Sequence, residues 1–104
     1  MMRTPLTLID AVDAMVAQKH TVGYKYEAEE AILDRFVAFT HRQFPGLETI
    51  TDASANAWIE SAQKRAVTPS TLRGLTSPVR HLAQWLILHD VAAYVLPTGV
   101  GSGF

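Results

Sequence analysis

The sequence predicts an all-α fold, a compact four-helix bundle, and three observations indicate it. Apolar residues recur at spacings of three and four in four separate segments. Residues typical of helix starts precede these segments, and Gly or Pro follows several of them. No segment alternates apolar and polar residues as a half-buried strand does.

Composition limits the class of protein further. With 104 residues, 48% hydrophobic and 18% charged, the chain can bury one core and is too apolar to stay unfolded. It contains no cysteine, which excludes disulfides and thiolate metal sites. Asp10 and Asp13 interrupt the N-terminal apolar run, so we expect neither a signal peptide nor a membrane span, and therefore a cytoplasmic protein. We predict one helical domain over residues 1–97 and a Gly-rich tail over 98–104.

The first helix is predicted over residues 5–19. It starts either with Thr4 and Pro5 as N-cap and first residue, or with a capping box of Thr7 and Asp10. Gly23 separates it from a long second helix. That helix runs from Tyr24 to near Phe44, where Pro45-Gly46 ends it, and its predicted inner stripe is Ala28, Ile32, Phe36 and Phe39.

The third and fourth helices begin at hydroxyl-containing caps. Thr51 or Asp52 caps a third helix that ends near Gln63, and Thr68-Pro69 opens the fourth. Pro78 interrupts the fourth, which either kinks there, the favoured reading, or restarts with Ser77 as a new cap. The predicted core of the bundle comprises Val12, Ile32, Phe36, Phe39, Trp58, Leu82 and Leu86.

No constellation for catalysis or metal binding is present in the sequence. The four histidines do not occur in a recognised metal spacing, and no Walker, Rossmann or G-x-S-x-G pattern exists. The acidic residues between Glu27 and Asp34 are typical of a solvated helix face. We therefore expect no catalytic residue, no metal and no cofactor.

Charge is distributed unevenly along a chain whose formal net charge is −1. Residues 1–60 hold five Lys/Arg against nine Asp/Glu, whereas residues 61–104 hold four against Asp90 alone. The run from Ser61 to His89 contains no acidic residue and carries all four of those cations, Arg80 included. This asymmetry is compatible with one basic face on a neutral molecule.

Two local clusters combine groups that contact phosphates. In KHTVGYKY, cations alternate with Tyr24 and Tyr26; in KRAVTPSTLR, two cations precede a helix start rich in hydroxyls. Ordinary capping and solvated charges account for the second cluster equally well. The candidate DNA-binding residues are Arg80 and nine residues of the two clusters: Lys19, His20, Lys25, Lys64, Arg65, Thr68, Ser70, Thr71 and Arg73.

The order of segments resembles the N-terminal core-binding (SAM-like) domain of phage-type integrases, the tyrosine recombinases. The similarity extends over roughly residues 8–97. VGYKYEAEEAILDRFVAFTHRQF is similar to the family's long second helix, ITDASANAWIESA to its third, and TPSTLRGLTSPVRHLAQWLILHD to its last. This chain departs from the family pattern in its acidic second helix and in Pro78.

The resemblance implies a domain that binds double-stranded DNA and positions it for strand exchange. Its further partners would be a C-terminal catalytic domain and neighbouring recombinase protomers, with residues 98–104 beginning the interdomain linker. The family's His-x-x-Arg signature belongs to that catalytic domain and does not occur here, so we expect no catalysis by this chain. The alternative is a helical protein-protein interaction module that docks its partner on VAAYVLP.

Overall fold

The described part of the chain forms four helices, as predicted. A computed structural model describes residues 7–66 and 68–96. The helices are α1 (Leu8–Thr21), α2 (Glu27–Gln43), α3 (Asp52–Arg65) and α4 (Pro69–Leu88). In the described part, α2 and α4 each pack against all three other helices, whereas α1 and α3 do not contact each other.

A threonine caps three of these helices at the N-terminus. Thr7 and Asp10 form a reciprocal capping box on α1, and Thr51 forms one with Ser54 on α3. Thr68 accepts a hydrogen bond from the Thr71 backbone at the start of α4. Of the alternatives left open by the sequence, the structure therefore shows the Thr7 and Thr51 caps; Thr4 and Pro5 lie outside the described residues.

The predicted start of α2 is wrong by three residues. Tyr26 adopts a left-handed backbone conformation with φ of 56°. A residue in this conformation cannot belong to a right-handed α-helix, so α2 begins at Glu27 rather than at Tyr24. Gly23, with φ of 95°, provides the preceding turn at low steric cost. The end of α2 at Gln43 agrees with the prediction.

The core agrees with the predicted one at five of seven positions. Val12, Phe36, Trp58, Leu82 and Leu86 are at most 3% exposed. Ile32 and Phe39 pack at the edge of the core and are only partly buried, while Ala28 is exposed. The buried face of α2 is therefore rotated relative to the predicted stripe. Leu33, Val37 and Thr40 are buried beside Phe36 in place of Ala28, Ile32 and Phe39.

Pro78 lies within one continuous helix, so Ser77 is not a new N-cap. Proline provides no donor for the carbonyl of Gly74, but Gly74 is exposed, and water can take the donor's place there. Nearby, the indole Nε1 of Trp58 donates to the carbonyl of Leu75 at 2.8 Å, which joins α3 to this part of α4.

The segment after α4 returns to the core. Leu96 is 1% exposed, and Tyr94 is partly buried against the core cluster. The Tyr94 backbone N–H donates to the carbonyl of Ile50 at 2.8 Å, and the Thr49 hydroxyl donates to that of Ala92 at 2.7 Å. Most of the VAAYVLP segment is thus used to close the bundle; Pro97 lies outside the described residues.

Candidate nucleic-acid interface

The solvent-facing side of α4 is long, polar and free of acidic residues. Helical periodicity turns Leu72, Val79 and Leu86 into the core and leaves the opposite side exposed or half-buried. We call this side the α4 face; it comprises Ser70, Arg73, Gly74, Ser77, Arg80, His81, Gln84, Ile87 and Leu88. From Ser70 to Leu88 it extends about 27 Å at 1.5 Å per residue.

Two arginines lie in one row of the α4 face. Arg73 and Arg80 are seven residues apart, which is two helical turns and about 10 Å along the axis. Neither forms an ion pair with a residue in the described ranges. Ser77 lies between them and Gln84 one turn beyond Arg80, so hydrogen-bonding side chains alternate with the two cations.

Lys19 adds a third cation beside this face. A groove of about 240 Å³ between α1 and α4 is lined by Lys19 and His81, together with Gln18, Gln84 and Trp85. Trp85 Nε1 donates to Gln18 Oε1 at 2.9 Å, which fixes α1 against α4 at this point. The structure therefore brings part of the first predicted cluster to the α4 face.

The pKa of His81 is affected by the positive charges of this region. Burial lowers its pKa from the ordinary value, and the neighbouring charges of Arg80 and Lys19 lower it further. Arg80 and Lys19 are thus close enough to His81 for both of their charges to act on it. The same charges attract phosphates.

The remainder of the first cluster is tied into the turn between α1 and α2. His20 Nε2 donates to the carbonyl of Lys25 at 2.8 Å, so His20 has a structural partner. Lys19 Nζ lies 5.8 Å from the ring centre of Tyr24 and 5.7 Å from that of Tyr26, within the range of cation–π attraction. Burial, and secondarily the charge of Glu29, raises the pKa of Tyr26.

Part of the second cluster is used for capping. The Thr68 hydroxyl accepts from the Thr71 backbone at 3.1 Å and pairs with the Thr71 hydroxyl at 2.9 Å. Capping, one of the two readings of this cluster, therefore accounts for Thr68 and Thr71. Ser70 is exposed on the α4 face without a hydrogen-bond partner in the described part of the chain.

The two cations at the end of α3 have different surroundings. Lys64 Nζ lies 3.8 Å from Glu60 Oε1, in a solvated pair of little energetic weight. Arg65 faces a groove between α2 and α3 that also contains Arg35 and Arg42. Neither Arg35 nor Arg42 was among the candidates from the sequence, although their spacing of seven residues on α2 could have suggested them.

Acidic residues gather elsewhere on the molecule. Asp13 and Asp34 line a groove between α1 and α2 that includes no residue of α4. The acidic cluster from Glu27 to Asp34 belongs entirely to α2, and α4 contains no acidic residue. The nearly neutral chain thus has one helix, α4, with basic residues and no acidic ones, which its net charge alone does not reveal.

Other classes of site find no support in residues 7–66 and 68–96. These residues contain no group of three or more His, Asp or Glu side chains able to hold a metal ion. Within the same ranges, no helix is both long and apolar enough to cross a membrane. Comparison of the chain with protein-family models, with curated proteins and with solved structures gives no match.

Proposed function

We propose that this protein binds double-stranded DNA through the α4 face. The observation that carries the proposal is the acid-free surface on which Arg73 and Arg80 share one row and Lys19 lies beside it. Electrostatic attraction to phosphates supplies most of the affinity of such surfaces. An α-helix fits the major groove, which is about 12 Å wide.

Each polar residue type on this surface is able to form a contact with DNA. Arg73, Arg80 and Lys19 pair with phosphates, the arginines through bidentate hydrogen bonds. Ser70 and Gln84 donate to phosphates or read base edges. Lys25, Lys64 and Arg65 add longer-range attraction rather than direct contacts.

We further propose that the domain positions DNA for strand exchange, as the core-binding domain of a tyrosine recombinase does. The support is the resemblance of the ordered helical segments to that family. Catalysis would then come from a separate catalytic domain, acting with neighbouring protomers. The isolated chain should neither relax nor cleave supercoiled DNA, and a covalent DNA adduct on Tyr24, Tyr26 or Tyr94 would contradict this part of the proposal.

The rival function, a protein-interaction module, loses the surface first considered for it. All residues from 91 to 96 except the exposed Ala92 pack on the core, so this segment offers no open apolar surface to a partner. Its remaining support is an apolar end of the α4 face, where Leu88 is 80% and Ile87 47% exposed. Binding assays with DNA separate the two functions, because an apolar interface does not weaken steeply with salt.

Fluorescence anisotropy with a short labelled duplex tests DNA binding. If the three cations neutralise about three phosphates, log K falls with log salt at a slope of about −2.7, so that K decreases roughly fortyfold between about 50 and 200 mM. The double variant Arg73→Ala/Arg80→Ala should flatten that slope by about two units. The matched variant Arg73→Lys/Arg80→Lys keeps the charge and should retain most of the slope. Equal binding by the alanine and parent proteins would rule out the α4 face as the DNA site.

A further inference from the structure

A second basic surface lies between α2 and α3. Three arginines from the two helices, Arg35, Arg42 and Arg65, line one groove of about 230 Å³. Ala38, Phe39 and Trp58 form the rest of its lining. We call this the arginine groove; none of its residues belongs to α4.

The helices fix the positions from which the three arginines reach the groove. Arg35 and Arg42 lie two turns apart on α2, about 10 Å along its axis, and Arg65 is in the last turn of α3 on the other side. Ala38, between the two α2 arginines, has only a methyl group and leaves the space between them open. The arginines therefore border an open channel.

The floor of the arginine groove is rigid and apolar. Trp58 is 3% exposed and meets Phe39 edge to face, with ring centres 5.4 Å apart. Its indole N–H is already donated to Leu75, so it offers no hydrogen bond to a ligand. Stacking of a planar ring on Trp58 is excluded by the same burial. Recognition in this groove must come from the guanidinium groups.

No groove arginine forms an ion pair with an acidic residue in the described ranges. The ion pairs there are His41 with Glu48 and Lys64 with Glu60, and neither includes a groove arginine. Asp34, next to Arg35 in sequence, lines the adjacent α1–α2 groove, which shares Ala38 with the arginine groove but contains none of its arginines. Three like charges around one concave surface repel one another, and an anion bound among them relieves this repulsion.

We propose that the arginine groove binds a ligand through two linked phosphate groups. Guanidinium groups pair with phosphate oxygens through two parallel hydrogen bonds, which a single lysine does not provide. A single phosphate group carries a charge of about −2 at most near neutral pH, so two linked phosphate groups balance the three arginine charges more fully than one. The groove is smaller than pockets that enclose drug-sized ligands, about 300 Å³ and above, so the phosphate groups, not a large attached moiety, provide the contacts. This site goes beyond the proposed DNA contact on α4.

Pyrophosphate is the probe for this site, and the full chain is the protein. In a ¹⁵N-NMR titration at low salt, saturable shifts should centre on Ala38, Phe39 and Arg42. The variant Arg35→Gln/Arg42→Gln should bind pyrophosphate at least about tenfold more weakly, because two charge-assisted contacts are lost. The control variant Lys64→Gln removes a neighbouring cation outside the groove and should bind like the parent. Absence of saturable shifts, or equal affinity in the glutamine double variant, would overturn the proposal.

A competition arm identifies the source of the phosphates. Adding a short DNA duplex to the pyrophosphate complex of Arg73→Ala/Arg80→Ala displaces pyrophosphate if the groove also takes the nucleic-acid backbone. Retention of pyrophosphate assigns the groove to small phosphorylated molecules. Either result supports the groove as a phosphate site, and neither depends on whether the α4 face binds DNA.

Discussion

Removing the ring of Phe36 should destabilise the domain more than any other single truncation on α2. Phe36 is fully buried and packs edge to face on Trp58, with ring centres 5.4 Å apart and planes at 84°. Lost burial of a phenyl ring costs about 1.5–3 kcal/mol, and the lost aromatic pair about 0.5–1.5 kcal/mol. With the cavity left behind, we expect Phe36→Ala to lower the free energy of unfolding by about 3–5 kcal/mol.

Urea denaturation followed by circular dichroism measures this loss. Leu88→Ala is the matched control, since Leu88 is 80% exposed and its truncation should change stability by less than about 0.5 kcal/mol. Small domains have only about 5–15 kcal/mol in total, so Phe36→Ala could fail to fold. Phe36→Leu, which keeps most of the volume, then provides a measurable intermediate loss. A Phe36→Ala protein within about 0.5 kcal/mol of the parent would refute the assigned inner face of α2.

Two further predictions follow from the caps and from His81. Thr51→Ala removes the hydrogen bond that the Ser54 backbone N–H donates to the Thr51 hydroxyl, and should cost about 1 kcal/mol in urea denaturation, whereas Thr51→Ser should cost little. An unchanged Thr51→Ala protein would contradict the cap. The pKa of His81, followed by NMR, should rise in Lys19→Ala because one repelling charge is removed. Because the pKa of His81 is lowered on folding, the unfolded chain binds this proton at a higher pH than the folded protein, and stability should fall as the pH decreases below about 6.5. His81→Gln should remove that part of the loss, and a His81 pKa unaffected by Lys19→Ala would contradict the proximity of the two side chains.

Local signals in the sequence were sufficient to predict the number and order of the helices. Hydroxyl caps such as Thr68 act within a few residues, so their effect on a helix start can be read without tertiary structure. The start of α2 could not be read in this way. Tyr26 takes a left-handed conformation that Tyr rarely adopts, while its ring packs against the core and beside Lys19.

The rotation of α2 was missed because its inner face is wider than one stripe. Phe36, Leu33 and Val37 all face inward, while Phe39 lies at the edge of the core with its ring against the buried Trp58. Which flank of an amphipathic helix is covered depends on the neighbouring helices, which only the tertiary structure supplies.

The candidate interface was predicted in its composition but not in its geometry. The acid-free run from Ser61 to His89 already pointed to α4, and Arg73 and Arg80 lie on its open face. Lys19 lies beside His81 because α1 packs on α4, and this contact joins residues that are far apart in the sequence. The grouping of Arg65 with Arg35 and Arg42 likewise depends on α2 packing against α3.

Mapping a DNA duplex onto the protein by ¹⁵N-NMR tests the central claim most directly. Titration of the labelled chain with a short duplex at low salt should shift the amides of the α4 face and of Lys19. These shifts should diminish in Arg73→Ala/Arg80→Ala and as salt is raised. The absence of shifts at high micromolar concentrations, or shifts confined to Ile87 and Leu88 that do not respond to salt, would contradict DNA binding through α4.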